Sequence, residues 1–183
     1  MHFTLGELLL DLVQNAADAG ARTVGVVWRE RGGSLLLSVD DDGCGMSAEV
    51  AARATDPFTT DGRKHPGRGV GLGLAFLAQT AESTGGRIEL ETEPGRGTHV
   101  ALEAPAGHLD LPPDGDVIGS LVLALCSEGP DEIEIVRERE GVTYTLRRSE
   151  LESVIGELPS VTGRGLLREF IRSQEEDDGK DDA

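Results

Sequence analysis

The sequence predicts an α+β protein: a two-layer α/β sandwich, a mixed sheet with helices on one face, followed by a small C-terminal α+β unit. Three observations lead there. Segments of helical and strand periodicity follow one another in the order αββααββ over residues 1–105, which suits stacked layers rather than a bundle or a barrel. Aromatic residues make up 3% of the chain and hydrophobic residues 38%, so the core must pack on Leu, Val, Ile and Ala. After Pro105 a Pro/Gly/Asp-rich stretch, AGHLDLPPDGD, divides this set from a second run of periodic segments.

Residues 3–19 form a helix with the apolar stripe Leu5, Leu8, Leu9, Leu12, Val13 and Ala16, one face at a period of 3.6. Thr4 and Glu7 make a capping box at its start, and Gly20 stops it. TVGVVWRE (23–30) and SLLLSVDD (34–41) are β-rich runs around Arg31-Gly32-Gly33, which predicts a hairpin. Ser47 caps a short helix over 47–54, and the stretch 55–68, with Pro57, Gly62, Pro66 and Gly67, is expected to be a mobile loop. A helix over 70–84 ends at Gly85-Gly86, and RIELETE (87–93) turns through Pro94-Gly95-Arg96-Gly97 into THVALEA (98–104).

The domain reading is therefore 1–105, a linker at 106–115, and a unit at 116–173. In that unit Asp116 caps the apolar helix VIGSLVLALC, DEIEIVRE (131–138) and VTYTLRR (142–148) pair over Gly141, and helices follow near 149–156 and 163–173. About sixty residues bury little core alone, so the unit is expected to dock on the first. Residues 174–183 carry charge and no apolar anchor, which predicts a disordered tail.

Composition excludes several function classes. Thirty-four acidic residues against seventeen Lys and Arg give a net charge of −17, which repels nucleic acid and anionic lipid. The two cysteines, Cys44 and Cys126, make no CxxC and no disulfide framework. No apolar run reaches the ~18 residues of a membrane span, and no leader pattern opens the chain, so a cytoplasmic protein without membrane insertion is expected.

The chemistry lies in short blocks. Glu7, Asp11, Asn15 and Asp18 follow at spacings of four, four and three, along one helix face with no balancing cation. An exposed helix interior disfavours Asn, whereas an amide oxygen beside a carboxylate suits Mg²⁺ bridging phosphates. Glu7 is explained by capping. Asp40-Asp41-Asp42-Gly43-Cys44-Gly45-Met46 ends a strand abruptly, and a buried carboxylate there can accept a hydrogen bond from an exocyclic amine such as adenine N6. Gly69-Val70-Gly71-Leu72-Gly73-Leu74 enters a helix, where backbone amides and the helix dipole attract an anion. Thr59, Thr60, Arg63, Lys64, His65 and Arg68 precede it, a basic and hydroxyl-rich group in an acidic chain.

Together DLVQNAADAGA, DDDGCGM, DPFTT (56–60), GVGLGL and PGRGT resemble the N box, G1 box, G2 box and G3 segment of the GHKL ATPases, the superfamily of gyrase B, a heat-shock chaperone, histidine kinases and MutL. The resemblance covers residues 5–104 and implies a Bergerat-type ATP-binding fold with ATP and Mg²⁺ as cofactors. It implies that Asn15 holds Mg²⁺ and that Asp41 reads the adenine, with Gly43, Gly45 and Met46 in its turn and Thr98 in support. It also places Gly69, Val70, Gly71, Leu72, Gly73 and Leu74 at the phosphates, beneath a lid over 55–69 that carries Phe58, Thr59, Thr60, Lys64 and Arg68. Asp11 stands where hydrolysing members place a catalytic Glu, one methylene longer, and is the candidate general base. Asp18 is expected to be a structural hydrogen-bonder.

No phosphoacceptor and dimerisation helices are expected before the first block, and no transducer domain after it. His2, His65, His99 and His108 stand in no helical His-Glu or His-Asp setting, so autophosphorylation is not expected. The chain, including HLDLPPDGDVIGSL (108–121), also resembles short stand-alone bacterial ATP-binding proteins often encoded with iron hydrogenase or NADH-dehydrogenase-like subunits. That implies a protein partner such as a redox or hydrogenase-like complex, with a homodimer as a further assembly. Three functions follow: a kinase acting in trans on a partner protein, an ATP-driven switch or slow ATPase, and a non-hydrolysing nucleotide sensor.

Overall fold

In the computed structural model, which describes residues 4–54 and 72–176, the first helix sets the layer on which everything else packs. α1 (Leu5–Asp18) begins at Thr4, whose Oγ1 accepts from the Glu7 N–H at 3.1 Å while Glu7 Oε2 accepts from the Thr4 N–H at 2.8 Å. This is the capping box that the sequence predicts. Leu5, Leu8, Leu9, Leu12, Val13 and Ala16 are buried along one stripe, which lies on a mixed sheet.

β1 (Thr23–Arg31) and β2 (Ser34–Asp41) form an antiparallel hairpin. Its two turn residues, Gly32 and Gly33, both have positive φ, the conformation that a tight two-residue hairpin demands. α2 (Ala48–Ala54) starts behind Ser47, whose Oγ accepts from the Val50 N–H. α3 (Leu72–Thr84), β3 (Arg87–Glu93) and β4 (Gly97–Pro105) follow, and β4 pairs with both β2 and β3. Val24, Val26 and Trp28 of β1, Leu35, Leu37 and Val39 of β2, and Val100 and Leu102 of β4 meet α1 and α3 in one core.

The second half continues this sheet. After α4 (Val117–Leu125), β5 (Glu132–Arg139) pairs in parallel with β1, from Thr23↔Glu132 to Glu30↔Arg139, and β6 (Val142–Arg147) pairs antiparallel with β5. The result is a six-stranded sheet in the order β3-β4-β2-β1-β5-β6. The change of composition at 106–115 therefore marks a strap along the chain, while the hydrogen-bonded sheet and core run across it. Ile133, Ile135, Leu121, Leu125, Leu167 and Ile171 are as buried as the residues of the first half.

Two polar devices lock this half in place. Arg148, at the start of α5 (Arg148–Ile155), is 8% exposed and donates to the carbonyls of Leu125, Ser127 and Pro130 at 2.8, 2.6 and 2.5 Å. It thus satisfies the chain end of α4 and the loop that follows. At the far end, α6 (Val161–Glu176) places Glu175 against Tyr144, Arg137 and Arg139. Residues 174–176, expected in a disordered tail, are thus the last turn of a helix, because the Glu175 carboxylate meets the buried Arg137 and the half-buried Arg139; 177–183 lie outside the described residues.

Candidate functional site

α1 brings Asp11 and Asn15 onto its half-buried flank. Asp11 Oδ2 accepts from the Gly73 N–H at 3.1 Å and from Asn15 Nδ2 at 3.3 Å. The carboxylate thereby joins the acid-and-amide helix to the start of the helix that follows the Gly-rich turn. Gly73 is required for this contact, since a Cβ there would collide with Asp11 Oδ2. With its Nδ2 end turned to Asp11, the Asn15 amide keeps Oδ1 as the end that could ligate a cation. Asp18 takes the structural part expected of it, accepting from Gln14 Nε2 at 2.8 Å.

The strand-end turn packs against the last residue of this region. The Cys44 N–H donates to the Ala19 carbonyl at 2.9 Å, and a Cβ on Gly43 would strike Ala19. Gly45 has φ +61° and lies against the Glu93 carbonyl, where no side chain fits. Both glycines are thus demanded by close packing of the turn, on Ala19 at the end of α1 and on the β3–β4 hairpin. Asp41 opposes Thr98 across the β2–β4 ladder, and its Oδ1 accepts from the Gly43 N–H at 2.8 Å. Burial pushes its carboxyl above the ordinary value, and the charges of Asp42 and Asp40 push the same way, against backbone hydrogen bonds from Gly43 and Thr98.

Two residues here escaped the sequence reading. Thr92 Oγ1 accepts from the Met46 N–H at 2.9 Å, donates to the Gly97 carbonyl at 3.0 Å and lies 3.1 Å from Thr98 Oγ1. Its signal was available: Thr92 continues the apolar positions Ile88 and Leu90 at a spacing of two. Asp42 Oδ1 accepts from the backbone of Arg22 and Thr23 at 2.7 and 2.9 Å, and the Thr23 backbone bond leads in holding its carboxyl below the ordinary value. It fixes the entry to β1.

Of the remaining expected site residues, Leu74 is 4% exposed and its side chain belongs to the core, so only its backbone can serve an anion site. Leu72 is described as backbone at the start of α3. Thr59, Thr60, Lys64, Arg68, Gly69, Val70 and Gly71, with Phe58 and the lid at 55–69, lie outside the described residues. Among the described residues no three His, Cys, Asp or Glu side chains converge on a metal position. The donors present fit Mg²⁺ held by one protein amide and by phosphate oxygens, the sparing ligation that this ion favours.

An acid-and-amide helix tied to the N-terminus of a second helix, with a half-buried Asp at a strand end, is an arrangement that could hold a nucleotide. The chain belongs to the family of histidine kinase-, DNA gyrase B- and HSP90-like ATPases, which it matches over residues 3–108. Among individual relatives, a putative sensor protein of Shewanella frigidimarina is 31% identical over 101 residues, covering 54% of this chain and 15% of that protein. Sensor histidine kinase ZraS of Klebsiella oxytoca is 40% identical over 105 residues, or 55% of this chain and 22% of that one. The chain thus aligns with under a quarter of the length of each. A solved catalytic domain of histidine kinase ThkA superposes with a TM-score of 0.40 at 23% identity, covering 54% of this chain and 65% of that one.

Proposed function

We propose that this protein binds Mg-ATP and transfers its γ-phosphoryl group to a partner protein in trans. The observation that carries the reading is the Asp11–Gly73 bond, which gathers Asp11, Asn15 and the start of α3 into one constellation, while the turn after Asp41 is bonded to the end of α1 through the Cys44 N–H and the Ala19 carbonyl. Asp41 would accept from the adenine amine, Asn15 Oδ1 would ligate Mg²⁺, and the N-terminus of α3 would face the phosphates. Bound Mg²⁺ would supply neutralisation of phosphate charge. Asp11, whose Oδ2 accepts from two donors, would receive the proton of the attacking nucleophile.

The phosphoacceptor is proposed to lie on the partner, a redox or hydrogenase-like complex being the class the sequence resemblance suggests. Incubating the full chain with radiolabelled ATP and purified subunits of such a complex tests this. Label on a partner subunit that disappears with Asp11→Ala supports the kinase; ATP bound intact with no label on any subunit contradicts it.

One observation favours a second reading, an ATP-driven switch. Because Asp11 couples α1 to α3, and β1 is paired along its length with β5, a shift at the phosphates has a direct mechanical route to the C-terminal half. ATP-dependent protection of β5 and β6 amides from hydrogen exchange, without phosphate transfer, would select it.

A further inference from the structure

Thr92, Thr98 and Asp41 form one row across three strands. Thr92 opposes Thr98 in the β3–β4 ladder and Thr98 opposes Asp41 in the β4–β2 ladder, so the three side chains stand side by side on one face of the sheet with Thr98 in the middle. Leu90, Val100 and Val39 make the next row and pack in the core or against it, which marks this as the face that meets the helices. A threonine hydroxyl has one proton and two lone pairs. The Gly97 carbonyl can only accept, so the Thr92 proton goes to it at 3.0 Å, while one Thr92 lone pair takes the Met46 N–H at 2.9 Å. The other lies toward Thr98 Oγ1 at 3.1 Å. With the Thr92 proton committed, Thr98 is the donor of that bond. Its proton is turned toward β3 and away from Asp41, and its oxygen keeps only lone pairs for whatever lies beside Asp41. Thr92 also fastens together the two turns at this end, Met46 belonging to one and Gly97 to the other, and the Gly95 N–H adds a bond to the Cys44 carbonyl at 2.8 Å.

We propose, resting on the reading that Asp41 accepts from the base, that Thr92 is a positioning residue that sets the base preference of the nucleotide site. By holding the Thr98 proton it leaves Asp41 and Thr98 as a row of acceptors, which favours a purine with a 6-amine over one with a 6-carbonyl. The amine gives its protons to this edge, directly or through a water. A 6-carbonyl meets an ionised carboxylate and a hydroxyl oxygen whose proton is engaged elsewhere, so polar groups are left facing polar groups of the same kind, the arrangement that discriminates most strongly. Thr92 touches no ligand and acts through Thr98.

The test is the ratio of the affinities for ATP and inosine triphosphate, which carries the 6-carbonyl, measured by titration calorimetry on the full chain. The parent should prefer ATP about a hundredfold. Thr92→Val, of similar shape without the hydroxyl, frees the Thr98 proton to turn toward the base, and the ratio should fall about tenfold, chiefly because inosine triphosphate gains a donor. Thr92→Ser keeps the hydroxyl and should restore the parent's ratio. Both nucleotides are measured on one protein, so a variant that is merely loosened or partly unfolded weakens both by the same factor and leaves the ratio where it was. Thr98→Val should lower the ratio by itself, and adding Thr92→Val to it should change the ratio no further. A parent that binds neither nucleotide refutes the nucleotide reading, and this proposal with it. A parent that binds ATP while Thr92→Val or Thr98→Val keeps the parent's ratio, or while Thr92→Ser loses as much of it as Thr92→Val, overturns this proposal alone.

Discussion

Asp41 combines a cost and a use in one side chain. Its folded carboxyl titrates above the ordinary value, with burial the leading cause. The sign is that of a destabilising charge: its favourable contribution is complete below the ordinary Asp value and is lost as pH rises through the raised one. Asp41→Asn, still able to accept from the Gly43 N–H, should therefore melt at neutral pH at the same temperature or about 2 °C higher, by calorimetric scan. The same titration predicts that ATP affinity in the parent falls as pH drops through the raised value, because the protonated acid is a poorer acceptor. Gly73 offers a steric test of the Asp11 link. Gly73→Ala pushes a methyl into Asp11 Oδ2 and should lower stability by about 1–3 kcal/mol in urea melts while weakening ATP binding. Arg148 is the structural counterpart. Arg148→Ala leaves three carbonyls without their donor and should cost about 3 kcal/mol. Asp41 and Asn15 stand out in the sequence because each breaks a local pattern, an acid ending an apolar strand or an amide inside a helix, whereas Asp11 is singled out by its spacing from Asn15 and by the family resemblance. Arg148 does not stand out, since its partners are backbone carbonyls that leave no trace in side-chain order.

At the scale of elements, periodicity carried the helices and strands close to their observed bounds. α1, β1, β2 and β3 needed only their own residues: a 3.6 stripe, three β-rich runs and a Gly-Gly turn. What it could not carry was the parallel pairing of β1 with β5, formed between segments about a hundred residues apart with no turn to announce it. Both strands place alternate apolar residues toward the helices, Val24, Val26 and Trp28 beside Ile133 and Ile135, yet alternation is common to many registers. The end of α6 was missed for a related reason. SQEEDD reads as solvated charge until Glu175 meets Arg137, whose side chain is 3% exposed and which also pairs with Glu30 at 2.8 Å and lies over Trp28. A chain ending at Ser173 should be about 2–4 kcal/mol less stable than one ending at Glu176, since it leaves the buried guanidinium with one carboxylate fewer.

The two ends of the sheet differ. The end at Asp41 carries the proposed nucleotide site; the hairpin end is covered by the strap at 106–115, bonded to Gly33 through the Ala106 N–H. The helix layer holds the core between them, and the opposite face of the sheet is laced with ion pairs such as Arg29–Glu138 and Arg147–Glu134. Such surface pairs contribute little stability and chiefly keep the face polar. Among the described residues no helix is long and apolar enough to cross a membrane. The central claim is that Asp41 and Asn15 together bind Mg-ATP, and titration calorimetry of the full chain with ATP, with and without Mg²⁺, tests it most directly. The account predicts a 1:1 isotherm that tightens with Mg²⁺, is abolished by Asp41→Asn, and loses its Mg²⁺ dependence with Asn15→Ala. An Asp41→Asn protein that folds and binds Mg-ATP with the parent's affinity would contradict it.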